Sequence, residues 1–128
     1  MLTDLFDVFH LAATVDDRIL CVHGGLSPGI MLHALCLMRQ KEIPHEGTMC
    51  DLLWSDPENI KGFGVSPRGA GYSFCPNITQ DFLATNNLNL LRRAHQLMMD
   101  GHSFTHEENC LTLSLRLIIV EDVQTKKV

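Results

Sequence analysis

Ile19-Leu20-Cys21-Val22-His23-Gly24-Gly25-Leu26-Ser27-Pro28 carries a short strand signal straight into a histidine and two glycines. The apolar residues before His23 favour extended backbone, and the glycine pair permits a tight turn with close backbone approach. A strand fixes an imidazole at its end while neighbouring glycines leave room for an ion, a common setting for a metal ligand. On spacing alone, a single histidine placed this way is more often structural than a ligand. Just upstream, Leu11 to Val15 is a second short apolar run, set apart by Asp16-Asp17-Arg18, so the two runs read as a β-hairpin or neighbouring strands.

Leu2, Leu5, Phe6 and Phe9 recur at helical spacing, as in the tail of an amphipathic helix, and Ile30 to Gln40 also reads as a helix. The stretch from Glu42 to Pro76, rich in proline and glycine, reads as a long functional loop. Thr79 is expected to cap a short helix with Asp81 in its first turn. Asn89 to Leu91 is a candidate strand leading to Arg93-Ala94-His95. Leu111, Leu113, Leu115 and Leu117 alternate with Thr112, Ser114 and Arg116, a strand pattern. Pattern alone therefore predicts a mixed α/β domain without internal repeat or second domain.

The chain has 128 residues, 45% of them hydrophobic, enough for one modest domain with its own core. Its net charge of −5 argues against nucleic acid as a partner, since phosphate backbones call for clustered cations. Arg92-Arg93 and Lys126-Lys127 are read as solvated surface. The apolar stretch Leu117 to Val120 is too short to span a bilayer, so no membrane partner is expected. No signal peptide is evident, which predicts a cytoplasmic or nuclear protein. The five cysteines are widely spaced and contain no C-x-x-C pair, which disfavours disulfides and a zinc knuckle and favours buried free thiols.

Three points carry chemistry: His23, His95, and Arg68 within Ser66-Pro67-Arg68-Gly69-Ala70-Gly71, a turn suited to presenting a guanidinium to an anion. None decides a function alone. The words around them do: HGGLSP (His23 to Pro28), PHEG (Pro44 to Gly47), CDLLWSDP (Cys50 to Pro57), SPRGAGYSF (Ser66 to Phe74) and RAHQ (Arg93 to Gln96) occur in that order. From about Thr3 to about Leu113 the chain resembles the phosphoprotein phosphatase family, most closely its type 2A-like branch, which includes the type 4 and type 6 enzymes. The resemblance implies part of a calcineurin-like metallophosphoesterase β-sandwich with flanking helices. It implies hydrolysis of phosphoserine and phosphothreonine with two divalent metal ions, manganese or iron with zinc, that activate a bridging hydroxide. His23 and His95 then resemble two ligands of one metal, and Arg68 the arginine that binds the substrate phosphate. Asp56 resembles a carboxylate lining the cleft, with a catalytic or a supporting role, and Trp54 is most simply a packing residue. Phosphoprotein substrates and regulatory or scaffold subunits are the implied partners.

The family's GDxHG, GDxxDRG and GNHE motifs, which supply the remaining metal ligands, do not occur in this sequence. The tail departs as well, and the expected organisation is residues 1–113 as the C-terminal half of a catalytic domain and 114–128 as a divergent tail. Codons can be chosen for Leu113 to Val123 so that the same string, read two nucleotides later, gives the family's FSAPNYC. An out-of-frame translation is therefore the expected origin of the tail, and the transcript sequence tests it. Of two readings, a phosphatase fragment is preferred over a truncated, non-catalytic phosphatase acting as a protein-binding module. The purified, metal-loaded chain is expected not to hydrolyse p-nitrophenyl phosphate; hydrolysis that disappears in His95→Ala would refute this.

Overall fold

A computed structural model describes residues 10–37 and 46–114. The expected N-terminal helix, the PHEG word up to His45, the end of the Ile30–Gln40 helix and the tail beyond Ser114 lie outside the described residues. The elements run β1 (Ala12–Val15), β2 (Ile19–Val22), α1 (Leu32–Leu37), α2 (Thr48–Trp54), β3 (Asp56–Pro57), β4 (Phe63–Val65), β5 (Tyr72–Phe74), α3 (Pro76–Thr85), β6 (Leu90–Arg93), β7 (His102–Thr105) and β8 (Cys110–Leu113). This is the mixed α/β class expected from the pattern.

Among the described residues the strands form a five-stranded sheet, in order β1-β2-β6-β8-β7, and a three-stranded sheet, in order β3-β5-β4. Asp16 and Asp17 both take left-handed backbone, which short polar side chains tolerate, and close the predicted β1–β2 hairpin. Strands β2, β6 and β8 run parallel, which requires long crossovers, and the β2–β6 crossover contains both longer helices and the small sheet. Because β2 and β6 are parallel neighbours, the loops that follow them, starting at His23 and Ala94, emerge at the same edge of the sheet. The core lies on one face of the large sheet, where Leu20, Val22, Leu91 and Cys110 pack with Leu26, Leu52, Phe74, Phe82, Leu83 and Leu88.

Three sequence expectations are corrected. The stretch from Glu42 to Pro76 is no structureless loop: its described part contains α2 and three short strands. Leu52 is buried in the core while Trp54 is partly exposed, and the Pro and Gly residues punctuate the elements instead of dissolving them. The helix after it starts at Pro76, with Cys75 at the N-cap position, so Thr79 is a buried interior residue. Proline's fixed φ suits the first helical position, and this overrides the capping preference of threonine. Arg93 is no solvated residue; it is 2% exposed. Of the described cysteines, Cys50, Cys75 and Cys110 are buried and Cys21 is half-buried, and none of the four is in a disulfide.

His106 ties the two sheets together. The Thr79 hydroxyl donates to its Nδ1 (2.7 Å), and its Nε2–H donates to the Glu58 carbonyl (3.3 Å), which fixes a neutral tautomer. Burial holds this imidazole below its ordinary value of 6.5, an effect the Glu58 carbonyl partly offsets. The unfolded chain therefore binds a proton at a pH where the folded chain does not. His106 leaves stability unchanged above pH 6.5 and lowers it as the pH falls below that value. Urea midpoints are expected to fall between about pH 7 and about pH 5, and His106→Asn to flatten that fall. His23 and His95 carry the same sign, so the slope shrinks without vanishing.

Candidate metal- and phosphate-binding site

Strand β2 delivers His23 and strand β6 delivers His95 to one place. His23 Nε2 and His95 Nδ1 are 3.2 Å apart, and the rings meet edge to face. The Ala94 N–H donates to the His23 carbonyl (3.0 Å), joining the two loops directly. His95 adopts φ +69°, and the Gln96 N–H reaches back to the Ala94 carbonyl (2.9 Å). That is a γ-turn of the strained, positive-φ kind, a conformation held only where the surroundings enforce it. The edge of Trp54 packs against His95, with centroids 5.5 Å apart, so Trp54 packs on the site instead of in the core.

Gly24 lets these loops close on α2. Its N–H donates to the Leu52 carbonyl (2.7 Å), and a Cβ built on it would lie 2.6–2.7 Å from the Leu53 and Trp54 backbone. Gly71 does the same for the arginine loop: it has φ +69°, and a Cβ there would meet the Ser55 nitrogen at 2.7 Å. The neighbouring Tyr72 N–H donates to the Ser55 hydroxyl (3.0 Å). The loop between β4 and β5 is thus pinned to the corner that carries Asp56.

Arg68 stands at the tip of that loop, its side chain 34% exposed. Its Nε donates to Asp56 Oδ2 (2.5 Å), while Nη2 reaches Asp56 Oδ1 and the His95 carbonyl, each at 3.5 Å. Asp56 is buried and also accepts from Arg93 Nη2 at 2.8 Å. Arg93 further donates to the Gly24 carbonyl (2.5 Å), Gln96 Oε1 (2.7 Å), the Ser55 carbonyl (3.2 Å) and Thr112 Oγ1 (3.4 Å). Burial pushes the Arg93 guanidinium below its ordinary value, and Asp56 works against that.

All four residues singled out in the sequence, His23, Asp56, Arg68 and His95, therefore meet at one edge of the molecule. Arg93 is the site residue that the sequence reading missed. Strand periodicity carried the signal, since Leu91 inside the core puts Arg93 on the same face.

Both histidines are held neutral. Burial lowers the His95 imidazole to about 4, with a further push from Arg68, and burial followed by Arg93 and Arg68 lowers that of His23. His95 Nε2 is buried without a partner among the described residues. Two nitrogens bound to one tetrahedral ion at roughly 2.0–2.1 Å would lie about 3.3 Å apart. The two nitrogens are hydrogen-bonded at 3.2 Å, one ring N–H donating to the other ring; that spacing also fits the requirement, so His23 and His95 suit two ligands of one ion once the shared proton is released. Among the described residues no group of three or more potential ligands gathers.

Residues 1–99 match the calcineurin-like phosphoesterase family. The chain belongs to that family, whose enzymes are dinuclear metal phosphoesterases. It is also similar to the structure of a protein serine/threonine phosphatase from Saccharomyces cerevisiae with similarity to human phosphatase PP5. That match has a TM-score of 0.75 at 35% identity and covers 80% of this chain and 33% of the other, so this chain spans about a third of that protein's length.

The closeness of Gly24 to α2 gives a direct test. Gly24→Ala is expected to cost about 2–3 kcal/mol, as overpacking against backbone does, read as a lower urea midpoint.

Proposed function

We propose that this chain is the metal- and phosphate-binding C-terminal part of a protein serine/threonine phosphatase of the type 2A-like branch. The observation that carries the reading is the meeting of Arg68 with the backbone of an adjoining histidine pair: Arg68 Nη2 lies 3.5 Å from the His95 carbonyl, and His23 Nε2 lies 3.2 Å from His95 Nδ1. The ordered phosphatase words of the sequence and the similarity to the yeast protein phosphatase support it.

In this reading His23 and His95 hold one of two divalent ions, manganese or iron with zinc. When bound, such a pair supplies a hydroxide nucleophile at neutral pH and neutralises phosphoryl charge. The chain's own part is to orient. Arg68 is tethered to Asp56 through its Nε side and presents its end-on edge to the oxygens of a phosphoserine or phosphothreonine monoester, where charge builds during displacement. Asp56 acts on Arg68 and not on substrate. Trp54 shields one side of His95 from water. Regulatory or scaffold subunits and a cytoplasmic or nuclear setting belong to the same proposal.

The non-catalytic protein-binding module is the second reading, favoured by the absence of a third ligand among the described residues. Calorimetry on the purified chain separates the two. Zinc or manganese binding is expected and should be lost in His23→Ala and His95→Ala, while Arg68→Ala should weaken inorganic phosphate binding about tenfold or more. A chain that captures a phosphatase regulatory subunit yet binds neither ion nor phosphate would favour the second reading and overturn the first.

A further inference from the structure

Arg93 is the most deeply buried cation among the described residues, with a side chain 0% exposed, and its acceptors come from four separate segments. Gly24 follows His23, Gln96 follows His95, Ser55 and Asp56 form the corner beneath Arg68, and Thr112 lies on β8. Each functional side chain is thus one residue or one ion pair away from the same guanidinium. We propose that Arg93 is a positioning residue for the anion site: it holds the Asp56 carboxylate, which holds Arg68, while it sets the two histidine loops relative to each other. The inference rests on the reading of Arg68 as the phosphate-binding group.

Side-chain entropy and charge both favour this arrangement. An arginine side chain free in solution loses rotamer freedom when fixed, so a site that binds an anion tightly fixes that arginine beforehand. Asp56 does this through Arg68 Nε, and Arg93 Nη2 keeps the carboxylate itself from turning. Charge acts in the same direction. One carboxylate faces two guanidiniums, so the cluster keeps a net positive charge for a phosphate dianion. Without Arg93, Asp56 would neutralise Arg68 alone. A lysine in its place preserves the charge but cannot reach several acceptors with a planar fork.

The test uses the full chain labelled with ¹⁵N, following the arginine Nε–H resonances, with phosphate binding measured by calorimetry. In Arg93→Gln the Arg68 Nε–H signal is expected to shift and exchange faster with water, and phosphate affinity to fall about tenfold. Arg93→Lys should recover part of the affinity while the Arg68 signal stays displaced. Combined with Asp56→Asn, the losses should be clearly less than additive. A lower unfolding midpoint with the Arg68 signal and phosphate affinity unchanged, or fully additive losses, would overturn the proposal and leave Arg93 a core residue only. Should the Arg93 variants not fold, the wild-type chain decides: an Arg68 Nε–H that exchanges with water as fast as that of the exposed Arg92 is not held in place and overturns the proposal. If the wild-type chain binds no phosphate, or binds it equally in Arg68→Ala, the functional reading fails by itself. The Arg68 signal then still decides whether Arg93 positions it.

Discussion

A guanidinium withdrawn from water needs acceptors on nearly every donor, and Arg93 obtains them by drawing four stretches of chain together. Desolvating a charge costs several kcal/mol even after the protein relaxes around it. The one full countercharge, Asp56 Oδ1 at 2.8 Å, offsets part of that cost, and three neutral oxygens within 3.2 Å or less do the rest. Such an arrangement adds little net stability compared with a well-packed apolar residue, but breaking it leaves an uncompensated buried charge, which is strongly destabilising. Its geometry is therefore all-or-none: the loop after β2, the corner after α2 and the loop after β6 are set together or not at all.

That requirement explains why strained backbone persists at the site. His95 sits in a positive-φ γ-turn, and Gly24 and Gly71 lie where no side chain fits against α2 and the Ser55 corner. Strain of this kind is stable only where neighbouring contacts over-determine it. Here the contacts are the Ala94–His23 backbone bond on one side and the Arg93–Gln96 side-chain bond on the other. The parallel pairing of β2 with β6 does the coarse placement, since strand ends on one side of a parallel sheet are where loops can share a ligand.

What could be read in the sequence follows the range of the interactions involved. The β1–β2 hairpin, β6 and β8 were legible because alternation and turn residues are local signals, as was the strand-to-glycine step at His23. The candidate site residues His23, Asp56, Arg68 and His95 were singled out through the motifs around them and not through spacing, because their meeting depends on a crossover of about 70 residues. Strands of two or three residues, such as β3 to β5, leave no periodicity to detect. The helix start at Pro76 was misplaced because two local rules compete there, and the fixed φ of proline prevailed over threonine capping. Arg93 was assigned to the surface from its charge alone, a rule that fails where a carboxylate and several backbone carbonyls await the cation.

The same electrostatics joins the two halves of the site's chemistry. Arg68 and Arg93 supply the positive field that an incoming phosphate would feel, and they add to burial, the larger cause, in keeping His23 and His95 unprotonated, His95 down to about 4. An imidazole must be neutral to donate a lone pair to a metal, and burial, assisted by these guanidiniums, spares the histidines from competing protons near neutrality. They would also repel a metal cation were Asp56 not there to absorb part of their charge. On the proposed function the carboxylate would serve both ends: it holds the fork of Arg68 for an anion and would moderate the field for a cation approaching the imidazoles 3.2 Å apart. On the proposed function a site that takes both a metal and a phosphate needs that balance, and one buried carboxylate between two arginines would provide it.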